Sequence, residues 1–356
     1  MPELPTLDLT HVDYSALDEP ITRAQVRAFR AQVKAAQRAD PSIATGFSTV
    51  AGWVVAVGGA ILGIAVLILF VGLLFTSGAD RSSDLVTLMF LVVFLIIAVL
   101  VFRANFGANG GWAKWMRLTQ FAQQNGMQYR ARSAAPTYSG MIFGQGDSRA
   151  ALDHLNSTGG RYFDLGSYEY STGSGKSRRT YYWGFLALQL DRKLPNMVLD
   201  SRENNSFLGS DLPISFNRSQ VLSLEGDFDK HFTLYCPKEY GQDALYVFTP
   251  DLMALLIDEA GSFDVEIVDD WMFVYSPHRF EPLPVPTYQR LFTIISTVRA
   301  KTVSQTERYH DDRVASPTAN VVAPQGQRLR HGTSIGAIIV IVGFAAFWIW
   351  SFATQW

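Results

Sequence analysis

Three long apolar runs constrain this chain before any other feature. Val50–Phe75, Leu85–Phe102 and Ile335–Phe352 contain no Asp, Glu, Lys, Arg or His. A helix needs roughly 20 apolar residues to cross a bilayer core, and it satisfies its backbone internally. The runs therefore predict three transmembrane α-helices, at 50–75, 85–102 and 335–353, in an integral, multi-pass protein of the cell inner (plasma) membrane. Trp348, Trp350 and Trp356 gather at one end of the third run, where indole rings suit the headgroup zone. The first run is far longer than the ~7–15-residue core of a cleaved signal.

Lys and Arg near the run ends set an expected orientation. Arg23, Arg27, Arg30, Lys34 and Arg38 precede the first run, Arg103, Lys114 and Arg117 follow the second, and Arg328 and Arg330 precede the third. The short loop after the first run has only Arg81, beside Asp80 and Asp84, and no cation follows the third. The expected topology has the N-terminus and the middle of the chain cytoplasmic and the C-terminus outside. Gly59 and Gly63, four apart, allow close packing of membrane helices, either within the hairpin of the first two runs or between two copies.

Outside the runs the composition is ordinary. The chain has 356 residues, 48% hydrophobic and 17% charged, and the runs account for the shortage of charge against the ~25% of a typical soluble domain. A net charge of -2 offers no basic excess for nucleic acid. A single cysteine, Cys236, excludes an intrachain disulfide and a four-thiolate zinc site.

Residues 1–48 read as a cytoplasmic tail. Asp18, Glu19 and Pro20 mark a helix start, and the Ala-rich stretch 21–39 places Val26, Phe29 and Val33 on one face. The cations Arg23, Arg27, Arg30 and Lys34 make this helix basic and amphipathic, suited to anionic lipid or to packing on the middle domain. Residues 104–127, with Trp112, Trp115 and Met116 on one face, read as an interfacial helix or as a core helix of that domain. Residues 309–334 are polar and aperiodic, a linker.

Residues 128–308 carry the pattern of a cytoplasmic α+β domain. Strands are expected at 161–171 and 180–190, joined through the Gly/Ser-rich basic tip 172–179, with shorter strands at 196–199, 220–224 and 232–235. Thr249-Pro250-Asp251 opens a helix that ends at Gly261. Strands at 263–268 and 271–275 are expected to form a tight hairpin through Asp269-Asp270, followed by a helix over 287–306.

Phe228, Lys230, Phe232 and Tyr235, then Ala244, Tyr246, Thr249, Pro250, Met253, Leu255 and Leu256, follow a recurring pattern. Through them the chain resembles an uncharacterised family of bacterial membrane proteins in which a transmembrane hairpin precedes a soluble domain. The third apolar run is less typical of that family and points to a narrower, actinobacterial subfamily. The resemblance implies a membrane-attached domain of unknown function and brings no catalytic residues with it. The same residues also read as core aromatics and a helix cap.

No motif for chemistry stands out. Gly175-Lys176-Ser177 lacks the first glycine of a phosphate loop, and a strand rather than a helix follows it. The six histidines have no metal-ligand spacing, and Asp153-His154 and His310-Asp311-Asp312 are the His–acid neighbours. Glu225, Asp227 and Asp229 alternate, as a water-facing turn or as paired carboxylates. No catalytic, cofactor or metal residue is assigned, and the balance is against an enzyme. The candidate contacts with membrane lipids or a partner protein are Arg23, Arg27, Arg30, Lys34, Lys176, Arg178 and Arg179. The expected function is a membrane-tethered domain that binds a partner protein or the membrane surface. The alternatives are an enzyme with a membrane-proximal substrate and an accessory subunit of a transport or envelope complex.

Overall fold

The computed structural model of the chain describes residues 11–39, 110–159, 162–205, 210–224, 226–280, 285–306, 309–314, 320–332, 344–348 and 350–351. They belong to two compact units. Met1–Asp18 with Leu118–Trp356 form one, and Glu19–Arg117 the other.

The structure does not bear out the expected membrane spans. Among the described residues no helix is long and apolar enough to cross a membrane. The longest, Val285–Thr306, carries Arg290, Arg299 and Lys301 among its 22 residues. Of the third run only residues 344–348 and 350–351 are described, and they are helical; 335–343 lie outside the described residues. Three transmembrane helices, the multi-pass inner-membrane assignment and the orientation built on them are therefore not supported. The runs 50–75 and 85–102, with Gly59 and Gly63, lie outside the described residues.

In the second unit, α2 runs from Arg23 to Ala39; α1 is the single turn Ser15–Asp18 of the first unit. Its start lies beyond the expected Asp18-Glu19-Pro20. Thr22 N–H donates to Gln25 Oε1 (2.8 Å) and Gln25 N–H to Thr22 Oγ1 (3.3 Å), a reciprocal capping box. Val26 is buried, and Phe29 meets Trp115 edge-on with centroids 6.0 Å apart. Trp115 lies in the first part of α3, Gly110–Gln124, stacked on Trp112.

The first unit is built on one antiparallel sheet. Its strands are β1 Met127–Ala134, β2 Asp147–Ser157, β3 Phe163–Thr172, β4 Arg179–Ser201, β5 Val221–Leu222, β6 Phe232–Tyr235 and β7 Asp264–Ser276. Their order is β1-β2-β3-β4-β6-β5, with β7 along the other edge of β4. The expected separate strands 180–190 and 196–199 are one 23-residue strand, and the expected hairpin at Asp269-Asp270 is one 13-residue strand.

Both long strands bend, and they bend together. Leu186, Leu188, Leu190 and Leu194 face one side of the sheet, and beyond Pro195 that side is taken by Met197 and Leu199. On β7 the alternation also flips, from Val265 and Ile267 to Met272 and Val274, around Asp269 at φ 54°. The register between the strands shifts at the same place, Leu194 opposite Asp269. From Gln189 to Leu194 β4 advances five residues while β7 advances only two, from Trp271 to Asp269, and β4 gains one more between Leu194 and Met197, so the extra residues bulge out of β4 and sharpen the twist. The result is visible in one bond: Tyr275 OH donates to Glu266 Oε2 at 2.8 Å, although a straight strand would separate residues nine apart by about 30 Å.

Helices cover one face. Leu118 and Phe121 of α3, Leu252 and Leu256 of α6 (Pro250–Ala260), and Leu291, Ile294 and Ile295 of α7 (Val285–Thr306) pack there with Leu155, Phe163, Leu186 and Val274. The part of α3 from Leu118 onward is thus a core helix. α4 (Phe228–His231) and α5 (Gly241–Val247) cover the β6 end. Loop residues close the other face: Met141, Ile142 and Phe143 lie on Tyr168, Phe185, Phe273 and Tyr275.

The described residues between 309 and 332 are not a loose linker. Tyr240 OH, Ala323 N–H and Arg313 all donate to the buried Asp311 carboxylate, at 2.7, 2.8 and 3.2 Å. Leu329 N–H donates to Asn196 Oδ1, and Arg330 N–H to Gln220 Oε1. α8 (Pro324–Gln327) seats Gly326 against the Tyr240 ring. Burial pushes the Asp311 carboxyl up, but its donors outweigh burial and hold it below the usual carboxylate range. Asp311→Ala leaves a buried hydroxyl and a buried amide without their acceptor. It should cost about 3 kcal/mol or more and open residues 309–332 to limited proteolysis. An unchanged urea midpoint and an unchanged cleavage pattern would refute this role.

Candidate functional site

The end of the β3–β4 hairpin carries the exposed basic group expected from sequence. Ten register pairs join the strands, from Phe163 with Leu188 to Thr172 with Arg179. The tip turns through Gly173 and Gly175, at φ 79° and 54°, where a side chain would be strained. Lys176, Arg178 and Arg179 are all exposed. They are not equivalent. Arg178 donates to Asp147 Oδ1 and to Ser148 Oγ, so it ties the tip to β2. Just below, Tyr181 and Tyr182 stay 41% and 39% exposed in a domain that buries most of its aromatics. Tyr181 stacks on Tyr170 with centroids 5.3 Å apart, and the Arg279 guanidinium lies 3.6 Å from the Tyr182 ring centre. Glu169 takes Arg132 at 2.7 Å and Arg279 at 3.8 Å.

A second constellation lies where β1, β2 and β3 meet. His154 Nδ1 is 2.8 Å from Asp164 Oδ1, and His154 Nε2 is 2.8 Å from Ser133 Oγ. A carboxylate only accepts, so His154 Nδ1–H donates to Asp164, while Ser133 Oγ lies within hydrogen-bond reach of both His154 Nε2 and the Ala134 carbonyl oxygen, at 2.8 and 3.3 Å. Tyr138 OH donates to Asp164 Oδ2 at 2.9 Å. Burial, then the Asp164 charge, holds the Tyr138 phenol well above its ordinary range, so it remains a donor. The β2–β3 register slips by one residue between Leu152 and Leu155, and Asp153 takes φ 46°. That bulge delivers His154 to the cluster. Gly166 opposes it, where a Cβ would fall 2.4 Å from His154 Cβ. Sequence reading paired His154 with its neighbour Asp153. The structure pairs it with Asp164 across the sheet, and Asp153 instead accepts from Tyr129 OH at 2.6 Å.

Three more acids are buried on the loop-covered side of β4 and β7. Burial raises Asp200 to about 6, Asp264 to about 7 and Glu266 to about 7. The Asp200 charge raises Asp264 further. Each acid holds a loop. Met141 N–H donates to Glu266 at 2.7 Å, Asn204 Nδ2 to Asp264 at 3.1 Å, and Ser210 Oγ to Asp200 at 3.0 Å. Their protein donors make them structural anchors, and no group of three or more His, Cys, Asp or Glu among the described residues is placed to hold a metal ion. Cys236 is buried, and burial pushes its thiol up to about 12, which keeps it unreactive. A polar surface hollow of about 260 Å³ lies between Gln220, Lys238, Glu239, Gln325 and Arg330.

The remaining sequence candidates lie on α2. Arg23, Arg27 and Lys34 are exposed, and Arg27 Nε donates back to Arg23 carbonyl. Arg30 sits over Trp112, 5.5 Å from the ring centre. Asp227 and Asp229 form a local turn: Asp227 approaches Lys230, and Asp229 takes Ser223 Oγ and Leu224 N–H. The Ser133, His154 and Asp164 grouping carried no signal in the sequence, since its members come from three strands.

No family model and no curated protein matches this chain. Among solved structures, the mycobacterial trehalose monomycolate transport factor A (TtfA) is a distant neighbour. It is 9% identical, with a TM-score of 0.35 over 52% of this chain and 94% of that one. A likeness that slight decides nothing about fold or role.

The raised acids make stability depend on pH. Asp264 and Glu266 hold protons more tightly folded than unfolded, so the stability they add is full below the ordinary carboxylate range and is lost as pH rises toward about 7. The urea midpoint should fall between about pH 5 and about pH 8. Glu266→Gln, whose amide oxygen still accepts from Met141 and Tyr275, should flatten that slope. Equal slopes in the two proteins would exclude Glu266 as a contributor.

Proposed function

We propose that the sheet domain is a protein-binding module, and that the end of the β3–β4 hairpin is its contact surface for an acidic partner. One observation carries this reading: Tyr181 and Tyr182, on opposite faces of β4 at the hairpin end, both stay exposed while being held in place. Tyrosine and arginine dominate the energetics of protein interfaces, since they offer large amphipathic contact area. Stacking on Tyr170 and under Arg279 fixes the rings beforehand, so docking loses less side-chain freedom.

Charge supports an acidic partner. The nearby acids, Asp147 and Glu169, are engaged by Arg178, Arg132 and Arg279. Lys176 and Arg179 add positive charge at the exposed tip. Opposite charge there would steer encounter and favour one class of partner.

A photo-crosslinking residue in place of Tyr181, in the full chain in its native cells, should give one discrete protein adduct. Adding Lys176→Glu and Arg179→Glu should reduce that adduct at least tenfold, while a crosslinker at Gln123 on α3 should not give it. No adduct at position 181, or one indifferent to the charge reversal, would overturn the reading.

A further inference from the structure

The polar cluster of β1, β2 and β3 has an arrangement that a merely satisfied buried histidine does not need. His154 and Asp164 side chains are only 5% and 3% exposed, whereas Ser133 is partly open to solvent. The three groups thus run from a buried carboxylate, through an imidazole that it holds by Nδ1, to a hydroxyl at the surface. Both steps measure 2.8 Å. Tyr138 OH occupies the second carboxylate oxygen, which fixes the plane of Asp164 and with it the ring.

We propose that Ser133, His154 and Asp164 form a nucleophilic relay for acyl transfer, with carboxylic esters as the substrate class. This is an activity separate from partner binding at the hairpin end. Nucleophile, base and orienting acid within hydrogen-bond reach are the geometric signature of such a relay, whatever fold carries it. In the first step Ser133 Oγ forms a bond to the ester carbonyl carbon and passes its proton to His154 Nε2. The ester C–O bond breaks, and the departing alkoxide takes that proton and leaves as an alcohol. Water then attacks the acyl-serine and gives a proton to His154, which returns it to Ser133 Oγ as the carboxylic acid departs. Asp164 holds the imidazole and stabilises its charged form.

The fold adds a reason why Ser133 is reachable. β1 is the last strand on its side of the sheet, and among the described residues no strand pairs with its outer edge. Alternate N–H groups of an edge strand point away from its neighbour, toward anything that docks there. A substrate carbonyl beside Ser133 would meet such donors, the kind of group that stabilises a developing oxyanion.

The test uses the full chain and a fluorophosphonate probe, which phosphonylates only activated serines, with mass spectrometry locating the modification. Wild-type protein should be labelled at Ser133 at least tenfold faster than at the exposed Ser177 and Ser219. Ser133→Ala should abolish that label, and Asp164→Asn, checked for native near-UV circular dichroism, should slow it at least tenfold. No label at Ser133, or a rate no higher than at Ser177, would overturn the proposal. The wild-type result decides by itself should Asp164→Asn fail to fold, and unchanged labelling in a folded Asp164→Asn protein would also overturn the relay.

Discussion

The shared bend of β4 and β7 is the constraint on which the rest of the domain depends. Two long paired strands must keep their hydrogen bonds while turning, and they do so with register shifts in β4 between Gln189 and Met197, facing Asp269 of β7. Pro195 cannot donate to a ladder, so a bulge is the place in an inner strand that accepts it. The bend exchanges which residues face which side, and each half of β4 can then present leucines or methionine to the same helices. It also brings Tyr275 back to Glu266 and draws Met141 N–H onto the same carboxylate. The loop that closes the second core is anchored at that point.

Buried carboxylates serve as fasteners throughout. Asp311 gathers the chain after α7, Glu266 gathers the 140s loop, and Asp264 and Asp200 gather the residues after β4. The two kinds of anchor differ in their electrostatics. Asp311 has a guanidinium and several donors, so its charge is favoured. Glu266 and Asp264 have neutral donors only and deep burial, so their protonated forms are favoured near neutrality. The pieces that look least structured in sequence are therefore held by the most expensive residues to bury.

Much of the sheet could be read from residue patterns. The strand 232–235, the basic hairpin tip and the helix opened by Thr249-Pro250 follow from alternation, Gly/Ser content and proline placement. Thr249 takes the extended N-cap conformation there, although its side chain makes no capping bond. β2 shows no alternation because Asp153 and His154 fall among its apolar residues, and the alternation of Met127, Tyr129 and Ala131 with Gln128, Arg130 and Arg132 in β1 is short and weakly apolar. Asp269-Asp270 looked like a hairpin turn because a bulge and a turn both call for positive φ at a small polar residue. The expected membrane spans follow from the length and apolarity of three runs and the tryptophans at one end of the third. Among the described residues no helix is long and apolar enough to cross a membrane, and the fold rests instead on an antiparallel sheet with helices packed on one face.

By itself the sequence determined that segments such as 163–171, 232–235 and 250–260 are extended or helical, and where the exposed cations of α2 and the hairpin tip lie. Those are local properties, set by periodicity, backbone freedom and charge. Only the tertiary structure decided that Arg178 is spent on Asp147, that Tyr181 and Tyr182 remain exposed, and that residues 309–332 clamp onto the sheet. It alone brought Ser133, His154 and Asp164 together. The reason is physical: a side chain's partner across a sheet is fixed by register, and here register is set by bulges whose positions depend on the packing of both faces at once.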